Sequence, residues 1–304
     1  MSLFALLAAL LLSYYFPHRY LDLLQHVFRP YAQWLDRNLN DGRRLHGGIA
    51  WTAGALLPAI VIAIIYIALL RIHFLLGLLF SAAVLYFTLR CSQFERRAEQ
   101  ILASLRNQDL DLARDQYHAW EGSNADSYSH AQLCRVSIEA TLKRSHYGLF
   151  GPVFWFALLG PAGAVLYRLG YLLKVEWHTP QDDVFGRYAE QVFAWMDWLP
   201  ARITAICFAI VGDFEDAVYC WRTQASAWPD KALGIILAAG GGALGVKLGE
   251  PLSLDGVIIY RPDLGLGDEA DADGLQSAIG LVWRVLLLMV GFILLLTIAH
   301  WLGH

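Results

Sequence analysis

The sequence predicts an all-α, polytopic integral membrane protein. Hydrophobic residues make up 57% of the chain and charged residues only 16%, and the mean hydropathy is +0.43, which is too apolar for an ordinary soluble domain. Long apolar runs recur, and the polar stretches between them carry apolar residues three and four apart, the spacing of an amphipathic helix. We therefore expect four to five transmembrane or re-entrant helices and amphipathic cytoplasmic helices, in a single domain over residues 1–304.

Five apolar segments form the predicted membrane part: residues 2–16, 48–70, 73–89, 149–173 and 277–302. The second, third and fifth are each close to the roughly 20 apolar residues that cross a hydrocarbon core. The first is shorter and lacks the basic start and the small-residue cleavage site of a signal peptide. We expect it to remain attached as a short helix.

The fourth apolar segment is interrupted at Gly160-Pro161. Proline has no backbone N–H and breaks the helical ladder, and lipid cannot satisfy the groups that are freed. The segment therefore either crosses once as a kinked helix or enters and returns as a re-entrant pair. The tolerance of membrane helices for proline favours the kink, and in either arrangement the break is a candidate cavity.

Three polar loops connect these segments: residues 17–47, 90–147 and 174–276. Each is predicted to be helical from its apolar spacing, with aromatic stripes that pack against neighbouring helices or the membrane interface. In the third loop, a helix is expected to begin at Thr179-Pro180 and to end at Leu199-Pro200. The acidic stretch 265–274 is expected to be a mobile loop.

Basic residues indicate the orientation. Residues 17–47 contain five arginines and residues 90–147 contain eight lysines or arginines, whereas the turn between the second and third apolar segments has only Arg71. Both loops are therefore expected in the cytoplasm, in a multi-pass membrane protein that contacts lipid. The side of residues 174–276 depends on how the Gly160-Pro161 segment is arranged.

Composition and spacing exclude several kinds of site. A formal net charge of −4 provides no basic field for a nucleic-acid partner. The four cysteines are scattered without a CxxC pair, and the ten histidines form no HExxH spacing, so we expect no metal site, disulfide framework or cofactor. No Ser-His-Asp or Cys-His group is recognisable, and catalytic residues stay unassigned.

A glycine-rich segment is one candidate ligand site. Gly242, Gly245 and Lys247 follow two further glycines, and consecutive glycines allow backbone N–H groups to approach a phosphate. The spacing does not match a Walker A motif. Small residues also permit tight helix packing in membranes, and packing or a tight turn is the favoured interpretation.

Charged residues in apolar surroundings are the other candidates. Arg168 lies in the Gly160-Pro161 segment, where an ionised group must be paired or must snorkel to the headgroups. Its candidate partners are Glu139 and Asp197. Asp197 and Arg202 flank Pro200 and are expected to form a local structural pair. Arg284, in the last apolar segment, is expected to snorkel.

Three signature segments, in this order and spacing, carry a family resemblance: GPVFW at 151–155, MDWLPAR at 196–202 and VGDFEDA at 211–217. They resemble the AmpE family and its relatives, the CobD/CbiB cobalamin-biosynthesis proteins. Residues 242–249 and Arg261-Pro262 are similar to the C-terminal pattern of CobD/CbiB. The resemblance implies a membrane enzyme that joins aminopropanol, or its phosphate, to adenosylcobyric acid with ATP, or the AmpE-type regulator of β-lactamase induction.

The resemblance also implies where a synthase would carry acidic and amide residues. By spacing, this chain has the following residues there: Lys143, Arg144, Tyr147, Tyr171, Leu172, Phe193, Ala194 and Asp197. Glu139, Pro152, Pro200 and Arg202 match the pattern. ATP-dependent ligation needs carboxylates that hold Mg²⁺ and offset the developing phosphate charge. The sequence therefore favours a protein that is not an enzyme.

The favoured function is an AmpE-type regulatory or scaffold protein linked to β-lactamase induction and cell-wall recycling signalling. A membrane or envelope protein is its expected partner, and its small-molecule ligand is unidentified. The first alternative is an ATP-dependent, amide-forming adenosylcobinamide-phosphate synthase. The second is an anion-sensing or transport protein that uses the Gly160-Pro161 break and Arg168 near a half-helix end.

The orientation can be tested with single cysteines introduced at Asn38 and Asn107, one in each basic loop. Because both loops are rich in Lys and Arg, a membrane-impermeant thiol reagent should label neither cysteine in intact cells and both in inverted vesicles. Labelling of either position in intact cells would contradict the assignment.

Overall fold

The computed structural model describes residues 2–15, 22–41, 43–89, 91–178, 184–254 and 257–302. Their helices, in chain order, are α1 Ser2–Tyr15, α2 Asp22–Leu39, α3 Arg44–Trp51, α4 Leu57–Ile72, α5 Phe74–Thr88, α6 Cys91–Arg106, α7 Leu110–Glu121, α8 His130–Ser145, α9 Gly151–Leu159, α10 Pro161–Glu176, α11 Val184–Val211, α12 Phe214–Gln224, α13 Lys231–Leu244 and α14 Ala272–Leu302. Strands β1 Leu252–Leu254 and β2 Val257–Ile259 form one antiparallel hairpin, with Ser253 opposite Ile258.

The chain divides into two compact units. The first unit comprises residues 1–91, 147–200 and 300–304, and the second comprises residues 92–146 and 201–299. Helices α6, α11 and α14 each contribute residues to both units.

The all-α membrane class is confirmed. Among the described residues, three helices are long and apolar enough to cross a membrane: Arg44–Ile72, Val184–Val211 and Ala272–Ala299. The first contains the predicted segment 48–70, and the third overlaps the predicted segment 277–302 from residue 277 to residue 299. Helix α5, predicted as a span over 73–89, has 15 residues and is shorter than the roughly 20 that a span requires.

The second long helix corrects the prediction for residues 174–276. That loop was expected to be polar, with a helix that ends at Leu199-Pro200, but α11 continues through Pro200 to Val211. Proline removes the helical hydrogen bond to the carbonyl four residues earlier, which is that of Met196. The indole Nε1 of Trp155 donates to this oxygen at 3.2 Å, so the helix can continue. The predicted start at Thr179-Pro180 lies outside the described residues.

The Gly160-Pro161 segment is a helical hairpin and not the kinked single helix that the sequence favoured. Helices α9 and α10 pack against each other, and a Cβ atom at Gly163 would lie 2.2 Å from the carbonyl oxygen of Trp155. Gly160 joins them with φ +65° and ψ −154°, a conformation that is open essentially to glycine alone. The amide N–H groups of Gly163 and Ala164 donate back to the Gly160 carbonyl.

The core of the first unit lies where α2, α3, α10 and the start of α11 meet. Its buried side chains include Phe28, Leu35, Trp51, Leu173, Trp177 and Phe185. The indole of Trp177 donates to the Ala32 carbonyl at 3.0 Å. Five π-helical residues, Thr52–Leu56, separate α3 from α4, and the Tyr31 hydroxyl donates to the Ala53 carbonyl there at 3.2 Å. The amphipathic helix predicted near residue 28 thus packs by its apolar face.

The second unit is built around α13, whose residues from Gly234 to Ala243 are all buried. The three consecutive glycines of this helix, Gly240 to Gly242, allow close packing on three sides. An added Cβ would lie 2.6 Å from Leu142 at Gly240, 3.0 Å from Gly265 at Gly241, and 2.4 Å from the Asp216 carbonyl oxygen at Gly242. Helix packing therefore accounts for this glycine run.

The acidic stretch 265–274, expected to be mobile, is held by backbone hydrogen bonds. Leu264 exchanges two with Leu248, and the Lys247 amide donates to the Asp268 carbonyl at 2.9 Å. The Gln224 side chain bonds both the N–H and the C=O of Gly265. These contacts order the loop before α14.

We expect Gly242→Ala to lower the free energy of unfolding by about 1–3 kcal/mol, the usual cost of overpacking, because the atoms that its Cβ would meet are backbone atoms of Asp216 and Ala217. Gly280→Ala is a matched control in a helix, since no atom lies within 4 Å of that Cβ. It should leave stability unchanged or raise it. Thermal unfolding in detergent measures both, and equal midpoints for the two variants would contradict the packing explanation.

Candidate functional site

A polar cavity of about 560 Å³ is the candidate site of the second unit. It is lined by Ser129, Ala131, Gln132, Arg135, Lys247, Glu250, Pro251, Asp263, Glu269 and Ala270. The start of α8 supplies one wall, and the loops after α13 and before α14 supply the others. A capping box positions the helix start, because the Ser129 amide donates to the Gln132 side chain and the Ser129 hydroxyl accepts from the Gln132 amide.

Glu139 holds the loop wall of this cavity. Its Oε1 accepts from the Gly249 amide at 2.9 Å, and its Oε2 accepts from Arg261 Nη1 at 2.7 Å. Arg261 also donates to the Gly249 and Glu250 carbonyls, and its guanidinium carbon lies 5.6 Å from the Trp228 ring centre. The carboxylate thereby fixes the loop that contains Gly249, because hydrogen bonds to a charged group are stronger than those between neutral groups.

Arg135 is the buried cation of the cavity. It is 8% exposed, it forms an ion pair with Glu250, and its Nε has no hydrogen-bond partner. Burial lowers the pKa of Arg135, and the charge of Glu139 counteracts that effect. The guanidinium, the Lys247 amine and the side-chain NH₂ of Gln132 provide donors for an anionic group. Asp263 and Glu269 provide acceptors.

Two positions of the synthase pattern lie on α8 and pair with one acid. The amine of Lys143 and the guanidinium of Arg144 both contact the carboxylate of Glu121, and Arg144 also donates to the Trp120 carbonyl at 2.6 Å. Burial acts to raise the pKa of Glu121, but the charges of Lys143 and Arg144 outweigh it and lower that pKa. The two cations therefore serve an internal ion pair.

Three other positions of the pattern come together in the first unit as an aromatic cluster, defined by Tyr147, Tyr171 and Phe193. The Tyr147 and Tyr171 rings stack at 4.6 Å, and the Phe193 ring lies 5.9 Å and 5.6 Å from them. The Lys174 amine lies 5.4 Å from the Phe193 ring centre, a cation–π distance. Positions far apart in the sequence thus share one site.

Arg168 and Asp197 lie beside this cluster. Arg168 is 3% exposed, with its guanidinium carbon 5.6 Å from the Tyr171 ring centre, so it stacks on an aromatic ring inside the protein and does not snorkel. Asp197 is buried and accepts a 2.8 Å hydrogen bond from the Tyr167 hydroxyl. Gly151 makes room for that tyrosine, because its Cβ would lie 2.2 Å from the ring.

The predicted site residues therefore separate into three groups. Lys247 lines the polar cavity, and Glu139 braces its wall with Arg261 as partner. Gly242 packs inside α13, and Gly245 ends that helix in the left-handed conformation at φ +68°. Arg202 is half-buried on α11. The described residues contain no group of three or more His, Cys, Asp or Glu that could hold a metal ion.

Sequence reasoning missed Arg135 and Glu250 and did not give Arg261 a role. One signal was available for Arg135, which lies one helical turn before Glu139 on the same helix face. The pairing of Glu250 depends on its left-handed backbone, with φ +59°, and no sequence pattern indicates it. Arg261 belonged to the resemblance, but its contact with Glu139 spans 122 residues.

The apolar helices and the fold define a helical membrane protein, and its second unit contains a braced polar cavity. The family described as CobD/Cbib protein matches residues 6–282, and the chain belongs to this family. It is 32% identical over 244 residues to "Cobalamin biosynthesis protein CobD" of Stutzerimonas stutzeri. The aligned region covers 80% of this chain and 79% of that protein. The protein of the same name from Chromobacterium violaceum is 34% identical over 69% of this chain and 68% of its own length. The one from Mycobacterium tuberculosis is 27% identical over 66% of each chain. No solved structure matches the chain.

Glu121 predicts a dependence of stability on pH. Because its pKa is lowered in the folded state, its contribution is complete above its ordinary pKa of about 4.3 and is lost as the pH falls through the folded value. Glu121→Gln should lower the unfolding temperature at neutral pH, and its difference from wild type should shrink below about pH 4. Asp111→Asn removes an exposed pair with Arg114 and should change stability by less than about 1 kcal/mol. A difference that is constant with pH would contradict the ion-pair role.

Proposed function

We propose that this protein acts in cobalamin biosynthesis as a membrane protein of the CobD type, placed in the bacterial inner membrane. The observation that carries the proposal is the extent of the family match, since residues 6–282 include all the signature segments and the whole polar cavity. The relatives with that name cover up to 86% of the chain. The AmpE branch, which the sequence favoured, has no comparable support among these relatives.

The polar cavity is the proposed substrate site. The reaction that the resemblance implies joins an amine nitrogen to a carboxyl carbon, and the displaced carboxyl oxygen leaves with a phosphate derived from ATP. Arg135 and Lys247 are placed to hold an anionic group, because both line the cavity and Arg135 has an unused donor. Asp263 and Glu269 are placed to accept from an amine. Glu139 positions the wall through Gly249 and Arg261.

A second candidate function is the AmpE-type regulator, and one observation favours it. Tyr147, Tyr171 and Phe193 occupy synthase positions and pack on one another, while Lys143 and Arg144 occupy two more and are paired with Glu121. None of these side chains can ligate Mg²⁺, which prefers carboxylate oxygens. On this hypothesis the scaffold is retained without the ligation, and the protein communicates with a membrane or envelope partner.

An activity assay separates the two functions. The full chain, purified in detergent, is given ATP, Mg²⁺, adenosylcobyric acid and either aminopropanol or its phosphate, and mass spectrometry measures the amide product. We expect product from the wild type and a roughly tenfold to hundredfold lower kcat/KM for Arg135→Gln, the loss of one charge-assisted contact. Arg106→Gln is the matched control, because that arginine forms an exposed pair with Asp273 and does not line the cavity.

The opposite outcome is equally specific. A folded wild-type protein that makes no amide, together with altered β-lactamase induction in a strain that lacks it, would replace the synthase function with the regulatory one. Equal activity of the Arg135 and Arg106 variants would move the substrate site away from the polar cavity.

A further inference from the structure

An apolar groove of about 730 Å³ follows roughly the first four turns of the membrane helix Arg44–Ile72. It is lined by Arg44, Leu45, Gly48, Ile49, Thr52, Ala53, Leu57 and Tyr188. All of these belong to the first unit. The groove lies apart from the aromatic cluster and shares no lining residue with it, so neither function proposed above accounts for it.

The groove is shaped by the backbone, through a glycine and a π-helical turn. Gly48 leaves its floor open beneath the Tyr188 ring, since an added Cβ would lie 3.3 Å from that ring. The π-helical turn Thr52–Leu56 inserts an extra residue and displaces the helix face that follows. The Tyr31 hydroxyl donates to the Ala53 carbonyl and holds this turn in place. The groove is thus a built feature of the unit.

Its apolar residues face outward on a helix that is suited to a bilayer. Leu45 is 73% exposed, Ile49 50% and Leu57 56%. The groove runs from the first turn of the helix towards its middle. Its apolar lining from Leu45 to Leu57 spans about 18 Å along the helix axis, at 1.5 Å per residue. An extended hydrocarbon chain matches this length and polarity better than any polar ligand does.

The end of the groove at the start of α3, its mouth, is cationic. Arg44 lines it at the first residue of α3, and Arg43 precedes it as an exposed neighbour that makes no side-chain cap. Arg44 Nη2 donates to Gln191 Oε1 at 2.7 Å, which holds the guanidinium at the mouth. The carboxylate of Asp41 is close in the sequence, and its Oδ2 lies 3.4 Å from Nδ1 of His46. The positive end of the helix dipole adds to this charge.

We propose that this groove binds an anionic phospholipid, with one acyl chain along the apolar lining and the phosphate at Arg44 and the first turn of α3. The charge complementarity at the mouth selects an anionic headgroup over a zwitterionic one. The continuity of the lining with a membrane-spanning helix selects a lipid over a soluble phosphate. The bound lipid bridges α3 and the start of α11, which together form the groove walls.

The experiment measures lipid retention by native mass spectrometry. The full chain is reconstituted with equal parts of phosphatidylglycerol and phosphatidylcholine and is then released from detergent. We expect the wild type to retain phosphatidylglycerol preferentially. Arg44→Gln should reduce that preference roughly fivefold to tenfold, as for one basic contact at a membrane surface, and Thr52→Trp should reduce the retention of both lipids by filling the groove.

Two matched variants serve as controls on the same helix. Arg71→Gln removes a cation at the opposite end, and Ile60→Trp enlarges an exposed residue outside the groove. Both should retain phosphatidylglycerol as the wild type does, and thermal unfolding checks that all variants are folded. Equal retention of the two lipids by the wild type, or equal losses in Arg44→Gln and Arg71→Gln, would overturn the proposal and leave only general annular lipid. Amide formation is measured separately, so neither result decides the other.

Discussion

The continuity of α11 depends on the hydrogen bond from the Trp155 indole to the Met196 carbonyl. Pro200 leaves that carbonyl without its helical partner, and in an apolar helix such a group costs several kcal/mol if it stays unsatisfied. With the bond in place, α11 extends over 28 residues and becomes long enough to span a bilayer. At its other end, the guanidinium of Arg284 donates to the Val211 carbonyl at 2.9 Å, so this helix obtains side-chain partners both in its middle and at its terminus.

Each signature segment makes specific packing or hydrogen-bond contacts within its own unit. Gly151 makes room for Tyr167, which bonds Asp197 of the second segment. The third segment docks on α13, where the Asp213 amide donates to the Ala243 carbonyl at 3.1 Å. The glycine-rich loop and Arg261 meet at Glu139. These contacts give the segments a role in packing and bracing, and none of them assigns a chemistry.

The sequence was sufficient for the fold class and for the spans around residues 60 and 290, because hydropathy and length alone determine them. It failed at Pro200 and Gly160 because the outcome there depends on distant partners. A proline ends a helix unless a donor such as Trp155 replaces the lost bond, and a Gly-Pro break kinks or reverses the chain according to the packing of α9 on α10. The polar cavity was missed for the same reason, since its ion pairs connect residues more than a hundred positions apart.

The positions of the synthase pattern and the groups of the polar cavity lie in different environments. In the aromatic cluster, ring stacking replaces the polar groups that the synthase pattern would place there, and such rings are stable without a ligand. Around the polar cavity the opposite holds, because a guanidinium that is 8% exposed with an unused donor is costly unless something fills the space beside it. The framework residues are already committed to packing and bracing. Among the described residues of the cavity, the groups that line it without bracing it, and so remain available to a ligand, are Arg135, Lys247, Asp263 and Glu269.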